Sequence, residues 1–197
     1  LISGRGNNFL YVDEEADFEM AKKIILNGKS RISVCNALDK VILNKNLPNL
    51  DGKLKDLVQF LQSNQLDVFG YGEILNINPD LKKDENPELL KEEFLSEKIV
   101  IILANSLEEA VEIINENSGG HSASIITTNK NKAEKFQTEV DCGAVYHNAS
   151  TRFTDGGEFG LSGEIAISTQ KLHFRGPLGI HQLTTNKWFI SGNGEIR

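Results

Sequence analysis

The sequence predicts an α/β fold: a largely parallel sheet with helices on both faces. Short runs of branched apolar residues, Val41-Ile42-Leu43 and Ile99-Val100-Ile101-Ile102-Leu103 among them, have the length and character of fully buried strands. Between such runs lie stretches with apolar residues at helical spacing. Strands and helices that alternate in this way pair in parallel, with the helices laid over the sheet. A chain of 197 residues is long enough for one sizeable core, or for one large domain with an appendage.

The first strand is Asn8-Phe9-Leu10-Tyr11-Val12. Asp13 follows as the expected cap of a helix over residues 15–26, with Ala16, Met20, Ile24 and Ile25 near one face and Asn27-Gly28 as its stop. A loop then delivers Cys35 to a second strand over residues 40–44. Pro48 and Asp51-Gly52 punctuate the chain before a helix marked by Leu54, Leu57, Val58 and Leu61, which ends near Ser63-Asn64. Residues 67–71 form a short strand, and the polar segment after it, with Pro79 and Pro87, specifies no element. After the strand at 99–103, Ser106-Leu107-Glu108-Glu109 has the form of a capping box and opens a helix to about Asn117, ended by Gly119-Gly120. Strand, helix and strand follow at 122–127, 130–138 and 143–147. Beyond Pro177-Leu178-Gly179, residues 183–190 are strand material with no helix to return them to the same sheet. A strand of that kind completes another sheet, in a longer chain or in a partner subunit.

Lysine and arginine number 21 against 28 acidic residues, a net charge of −7. That balance argues against a general nucleic-acid binder and leaves room for a local anion site. No apolar run approaches the length of a membrane span, and the first residues do not read as a signal peptide, so no membrane partner and a cytoplasmic location with reduced thiols are expected. The chain starts at Leu1 and runs straight into a strand, the pattern expected of a piece of something longer.

Of 2 cysteines, Cys35 stands four residues after Arg31 and just before a β-branched run. A reduced thiol there suits chemistry better than a disulfide, and residue chemistry alone equally allows a small buried hydrophobe. Cys142, beside Asp141 at a strand start, is expected to be structural. The second informative stretch is Asn148-Ala149-Ser150-Thr151-Arg152-Phe153-Thr154-Asp155-Gly156-Gly157, continuing to Gly163. Because it follows a strand, it is expected at a strand's carboxyl end, where open α/β sheets place ligands. Its glycines allow close backbone approach, its hydroxyls and amides donate, and Arg152 can fork onto a carboxylate or phosphate. A glycine-rich surface loop is the other reading. The 4 histidines show no metal spacing, no metal is expected, and no G-x-G-x-x-G follows a strand.

Cys35-Asn36-Ala37-Leu38, the string from Val145 to Gly157, Glu158-Phe159-Gly160 and Ser168-Thr169-Gln170-Lys171-Leu172-His173 together resemble the carboxyl-terminal half of the γ-glutamyl phosphate reductases, also called glutamate-5-semialdehyde dehydrogenases, of the aldehyde dehydrogenase superfamily. The resemblance runs from about Gly4 to Arg197. It implies an aldehyde-dehydrogenase-like catalytic domain over residues 1–180, an oligomerisation strand over 181–197, and an NADP-binding domain outside this chain. By the same resemblance the enzyme reduces γ-glutamyl phosphate with NADPH to glutamate-5-semialdehyde and phosphate in proline biosynthesis. Cys35 is then the thiolate that forms a γ-glutamyl thioester, with its own backbone N–H as one oxyanion donor. Asn148, Ser150, Thr151 and Arg152 are implied for the substrate, Asp155 for its α-ammonium, and Arg31 for phosphate or for keeping Cys35 ionised. A structural ion pair is the alternative for any of these. Glu93-Phe94 resembles the motif that reaches the nicotinamide ribose, although a solvated acidic helix end fits Lys91-Glu92-Glu93 at least as well. His121 and His173 match family positions, with capping and packing as expected duties. Leu1 stands where hydrolytic relatives carry a general-base glutamate, and leucine does not activate water. The implied partners are a second copy of the chain and the upstream glutamate kinase. The competing reading is a non-catalytic binding or assembly fragment that keeps the fold without the cofactor half.

Overall fold

The computed structural model describes residues 4–161 and 163–196. Seven strands form one sheet: β1 (Asn8–Val12), β2 (Leu38–Asn44), β3 (Asp67–Gly70), β4 (Lys82–Lys83), β5 (Lys98–Ala104), β6 (Ser122–Ile126) and β7 (Ala144–His147). Their order is β4-β3-β5-β2-β1-β6-β7, and every pairing is parallel. The helices are α1 (Phe18–Gly28), α2 (Leu50–Ser63), α3 (Ile74–Ile77), α4 (Leu107–Asn117) and α5 (Lys130–Glu139).

Alternation along the strands divides the core. Ile99, Ile101 and Leu103 of β5 pack in one cluster with Ala21 and Ile25 of α1 and Leu54, Leu57 and Leu61 of α2. Val100, Ile102 and Ala104 join Ala110 and Ile114 of α4 and Phe136 of α5 on the other face. The continuous apolar run of β5 is thus the signature of a strand covered twice, as expected from sequence. Each large side chain buried this way contributes about 1.5–3 kcal/mol.

Some boundaries differ from expectation for local reasons. The cap of α1 is Asp17, whose carboxylate accepts the Met20 N–H at 3.0 Å. Asp13 is wholly buried at the end of β1 instead. Asp51-Gly52 does not break the chain but lies in the first turn of α2, where a Cβ on Gly52 would come within 2.4 Å of the Asn49 side chain. Ser106 caps α4 by accepting the Glu109 N–H at 3.3 Å, while the Glu109 carboxylate reaches the Asn105 N–H at 2.6 Å rather than closing the box on Ser106. The segment between β3 and β5 contains α3, β4 and a 3-10 turn at Leu89–Lys91. A small antiparallel pair, β8 (Ala166–Ser168) and β9 (Gly176–Leu178), is too short to show in sequence periodicity. A 3-10 turn at Ile180–Leu183 follows it. Residues 184–196 enter neither sheet, and Trp188, Phe189 and Ile190 are 85%, 85% and 90% exposed. Leu1 and Ser162 lie outside the described residues.

Candidate active site

Cys35 sits in the loop between α1 and β2, at the amino ends of β1 and β2. Its carbonyl and that of Ala37 each accept from the Asn8 Nδ2 at 2.7 Å, and Gly6 passes so close that a Cβ there would lie 2.0 Å from the Cys35 oxygen. Only glycine permits that approach. The next residue, Asn36, is the joint of the site. Its Nδ2 donates to the carbonyls of Thr154 (2.9 Å) and Arg152 (3.2 Å), its Oδ1 accepts from Arg152 Nη1, and its own carbonyl accepts from Thr151 Oγ1 at 2.9 Å. The two loops singled out in the sequence are clasped together here.

The second loop reaches that end of the sheet by doubling back. Asn148, at φ 52, binds the Thr127 peptide from both sides: Oδ1 accepts its N–H and Nδ2 donates to its carbonyl, each at 3.0 Å. Ser124 Oγ then donates to the Ala149 carbonyl at 2.7 Å, and Ser122 Oγ meets Thr154 Oγ1 at 2.7 Å. The chain from Asn148 to Thr154 therefore runs along β6 from its carboxyl end to its amino end. The expected placement at a strand's carboxyl end holds for Asn148 alone. The crevice at the carboxyl ends is a different one, of about 300 Å³, lined by Asp13, Glu14, Asn44 and Lys132 among others. There the Lys132 ammonium fills the space among Asp13, Glu14 and Glu15, at 3.2, 2.5 and 2.9 Å.

Burial pushes the half-buried Cys35 thiol up from its ordinary value, Glu164 and Glu93 push it further, and Arg152 pulls it down. Arg152 is thus a cation that favours the thiolate, and Arg31 is exposed on the Cys35 loop. The Ser150 and Thr151 hydroxyls are already engaged. Ser150 Oγ accepts the Arg152 N–H at 3.2 Å and Thr151 donates to Asn36, so both shape the loop around Arg152. Asp155 is exposed and accepts the Gly157 N–H at 2.8 Å. A cleft of about 210 Å³ opens among Asn27, Ser30, Arg152, Phe153 and Glu158.

Glu93 lies within electrostatic reach of the thiol, and Phe94 is anchored. The Phe94 N–H donates to Asp39 at 3.0 Å, Asp39 pairs with the buried Lys29 at 2.6 Å, and the ring lies 3.9 Å from Lys40 Nζ. Burial pushes Lys40 down to about 7. His121 is 1% exposed, and burial pushes it down to about 4. His173 is exposed, at φ 69. Cys142 is buried against Ser118, and burial raises it to about 11, as befits a structural thiol. Sequence reasoning missed Asn8, Asn36, Thr154, Glu158 and Glu164. Asn36 and Glu158 belong to strings that carried the resemblance, whereas Asn8 and Glu164 gave no local signal.

Residues 77–188, more than half of the chain, match the sequence profile described as the aldehyde dehydrogenase family. The chain belongs to that family. Curated γ-glutamyl phosphate reductases are similar to it across nearly its whole length. That of Clostridium botulinum (strain Eklund 17B / Type B) is 46% identical over 196 residues, covering 99% of this chain and 47% of the relative. That of Dictyoglomus thermophilum is 48% identical over 199 residues, covering 99% and 46%. This member of the aldehyde dehydrogenase family thus spans about half the length of the curated relatives it matches. Among solved structures, γ-glutamyl phosphate reductase from Thermotoga maritima superposes with a TM-score of 0.91 at 39% identity, over 100% of this chain and 47% of that one. An acetylating aldehyde dehydrogenase from Geobacillus thermoglucosidasius, at 16% identity, shares the fold over 99% of this chain and 52% of that one, with a TM-score of 0.71.

Proposed function

We propose that the chain carries the thiol half of a γ-glutamyl phosphate reductase, the NADP-dependent enzyme that makes glutamate-5-semialdehyde and phosphate from γ-glutamyl phosphate in proline biosynthesis. The observation that carries this reading is the clasp at Asn36, which holds Cys35 beside Arg152 although 116 residues separate Asn36 from that arginine. The name shared by the curated relatives supports the substrate.

Arg152 keeps guanidinium donors beyond the one on Asn36, and these take the amino acid's carboxylate in a forked geometry. Asp155, exposed on the same loop, or Glu158, which lines the cleft with Arg152, receives the α-ammonium. Asn148, Ser150 and Thr151 support substrate binding by shaping the loop that presents Arg152. Cys35 attacks the acyl carbon as the thiolate: the S–C bond forms, the C–O bond to phosphate breaks, and phosphate leaves with the electron pair. Arg31 meets the departing phosphate, and the Cys35 backbone N–H donates to the oxyanion. Glu93 takes a hydroxyl of the nicotinamide ribose in this reading, which its charge acting on the Cys35 thiol and the fixing of the next residue, Phe94, to Asp39 support. NADPH, when bound, supplies the hydride; most of its binding surface belongs to the rest of the protein. The same reading puts the protein in the cytoplasm, downstream of a glutamate kinase, and gives residues 181–197 to a contact between copies. Among the described residues no helix is long and apolar enough to cross a membrane.

The full-length protein is expected to oxidise glutamate-5-semialdehyde with NADP in the presence of phosphate, and no such activity with Cys35 intact would sink the proposal. Cys35→Ser is expected to abolish turnover with an unchanged melting temperature; retained turnover would remove Cys35 from the nucleophile's role.

A further inference from the structure

His121 lies just before β6 and is buried to 1% exposure. Its Nδ1 is 3.0 Å from Asn8 Oδ1 and 2.8 Å from Ser122 Oγ, and its buried Nε2 has no hydrogen-bond partner among the described residues. Asn8, itself fully buried, leaves no freedom in how its amide is turned. Its nitrogen faces three carbonyls, those of Gly6 (3.0 Å), Cys35 and Ala37 (2.7 Å each), so its oxygen faces the histidine. That oxygen only accepts, so His121 Nδ1 must carry the proton. In a neutral ring Nε2 is then a bare lone pair, which agrees with its lack of an acceptor. Ser122 Oγ shares the Nδ1–H and is free to donate to Thr154 Oγ1 at 2.7 Å, which also meets Tyr146 OH at 2.8 Å. Thr154 is the residue whose carbonyl receives Asn36. One imidazole thus ties together both supports of Cys35, the Asn8 amide on one side and the Thr154 turn on the other.

We propose that His121, as the neutral Nδ1–H tautomer, is a positioning residue for the Cys35 thiol: it locks the Asn8 amide that grips the Cys35 and Ala37 carbonyls and couples it to the Ser122–Thr154–Tyr146 hydroxyl chain. His121 touches no reacting atom in this role and transfers no proton. The acylation readout rests on the nucleophile reading of Cys35, and the tautomer readout does not.

The first measurement is the nitrogen spectrum of the histidines in the 15N-labelled chain. His121 is expected to show a protonated Nδ1 and a bare Nε2 from pH 6 to 8; a protonated Nε2 overturns the proposal. The second is the rate at which a γ-thioester of L-glutamate with N-acetylcysteamine acylates Cys35, followed by the mass gain on its peptide. His121→Phe, similar in bulk but without donors, is expected to lower the saturating rate about tenfold while the half-saturating concentration stays within about twofold. His121→Asn, which restores a donor near the Nδ1 position, is expected to recover most of that loss, and His121→Gln, which extends its amide toward the Nε2 position, is not. Equal rates for the Phe variant and the parent, or equal loss in the Asn and Phe variants at matched melting temperatures, overturn the proposal. If the parent chain itself takes no acyl group on Cys35, the functional reading fails, and the positioning proposal is judged by the tautomer alone. The spectrum needs no variant, so a Phe variant that fails to fold leaves the proposal open to refutation.

Discussion

At Cys35 the surrounding charges oppose one another. Burial, Glu164 and Glu93 all favour the thiol, and Arg152 favours the thiolate. Because reactivity follows the thiolate fraction, which grows as pH rises through the thiol's pKa, alkylation of Cys35 by iodoacetamide is expected to keep rising above the pH at which a free cysteine levels off. Arg152→Ala removes the cation and moves that profile to higher pH. Glu164→Gln removes a carboxylate and moves it to lower pH. Shifts in the opposite senses, read by peptide mass mapping with the buried Cys142 as internal reference, would contradict this electrostatic picture. Arg152→Ala in the full-length protein is also expected to raise KM for the semialdehyde about tenfold to a hundredfold, the loss of one charge-assisted contact, with a smaller effect on KM for the dinucleotide. Equal effects on both would make Arg152 a structural residue. Cys35 was legible from sequence because it is scarce and lies in a specific string. Glu164 was not, because it acts on the thiol through space, its carboxylate held by the Gly156 N–H in a loop with no periodicity.

Elements were legible where one strand or helix face is buried by itself. The apolar spacing of Leu54, Leu57, Val58 and Leu61 names the face of α2, and all four side chains are buried against the sheet. Leu57→Ala is expected to cost about 2–5 kcal/mol in denaturant unfolding, the range for a leucine with no room to collapse. A cost below about 1 kcal/mol would mean that α2 contributes little to the core. Local chemistry was read less well where two residues compete for one job. Asp13 and Asp17 both precede the α1 pattern, and the choice went to Asp17 because Asp13 is drawn into the pairing with Lys132 and Thr127 at the end of β1. The doubling back of the 148–154 loop was invisible in sequence. It is fixed by Ser122 and Ser124 on β6, by Thr127 just after it and by Asn36 on the Cys35 loop, hydrogen bonds between segments whose separation carries no local pattern.

For the molecule as a whole, the parallel sheet offers two ends. At the carboxyl ends the acidic group Asp13, Glu14 and Glu15 is paired with the Lys132 ammonium on the wall of the crevice, and Cys35 with Arg152 is assembled at the amino ends. The tail beyond Leu183 belongs to neither. It adds Trp188, Phe189, Ile190 and Ile196 to the solvent-facing surface, each at least 85% exposed, and none of its described residues, 184–196, joins either core cluster. Exposed apolar strand material of this kind marks a partner surface, and the partner proposed here is a second copy of the chain. Removal of residues 184–197 is therefore expected to leave the melting temperature of the monomeric unit within about 2 °C, because no core side chain is lost. The same truncation in the full-length protein is expected to lower the molar mass in sedimentation equilibrium from that of an oligomer to that of a single chain. An unchanged oligomer after truncation would exclude the tail as the contact between copies. A large fall in melting temperature of the isolated unit would instead show that the tail folds back on its own sheet.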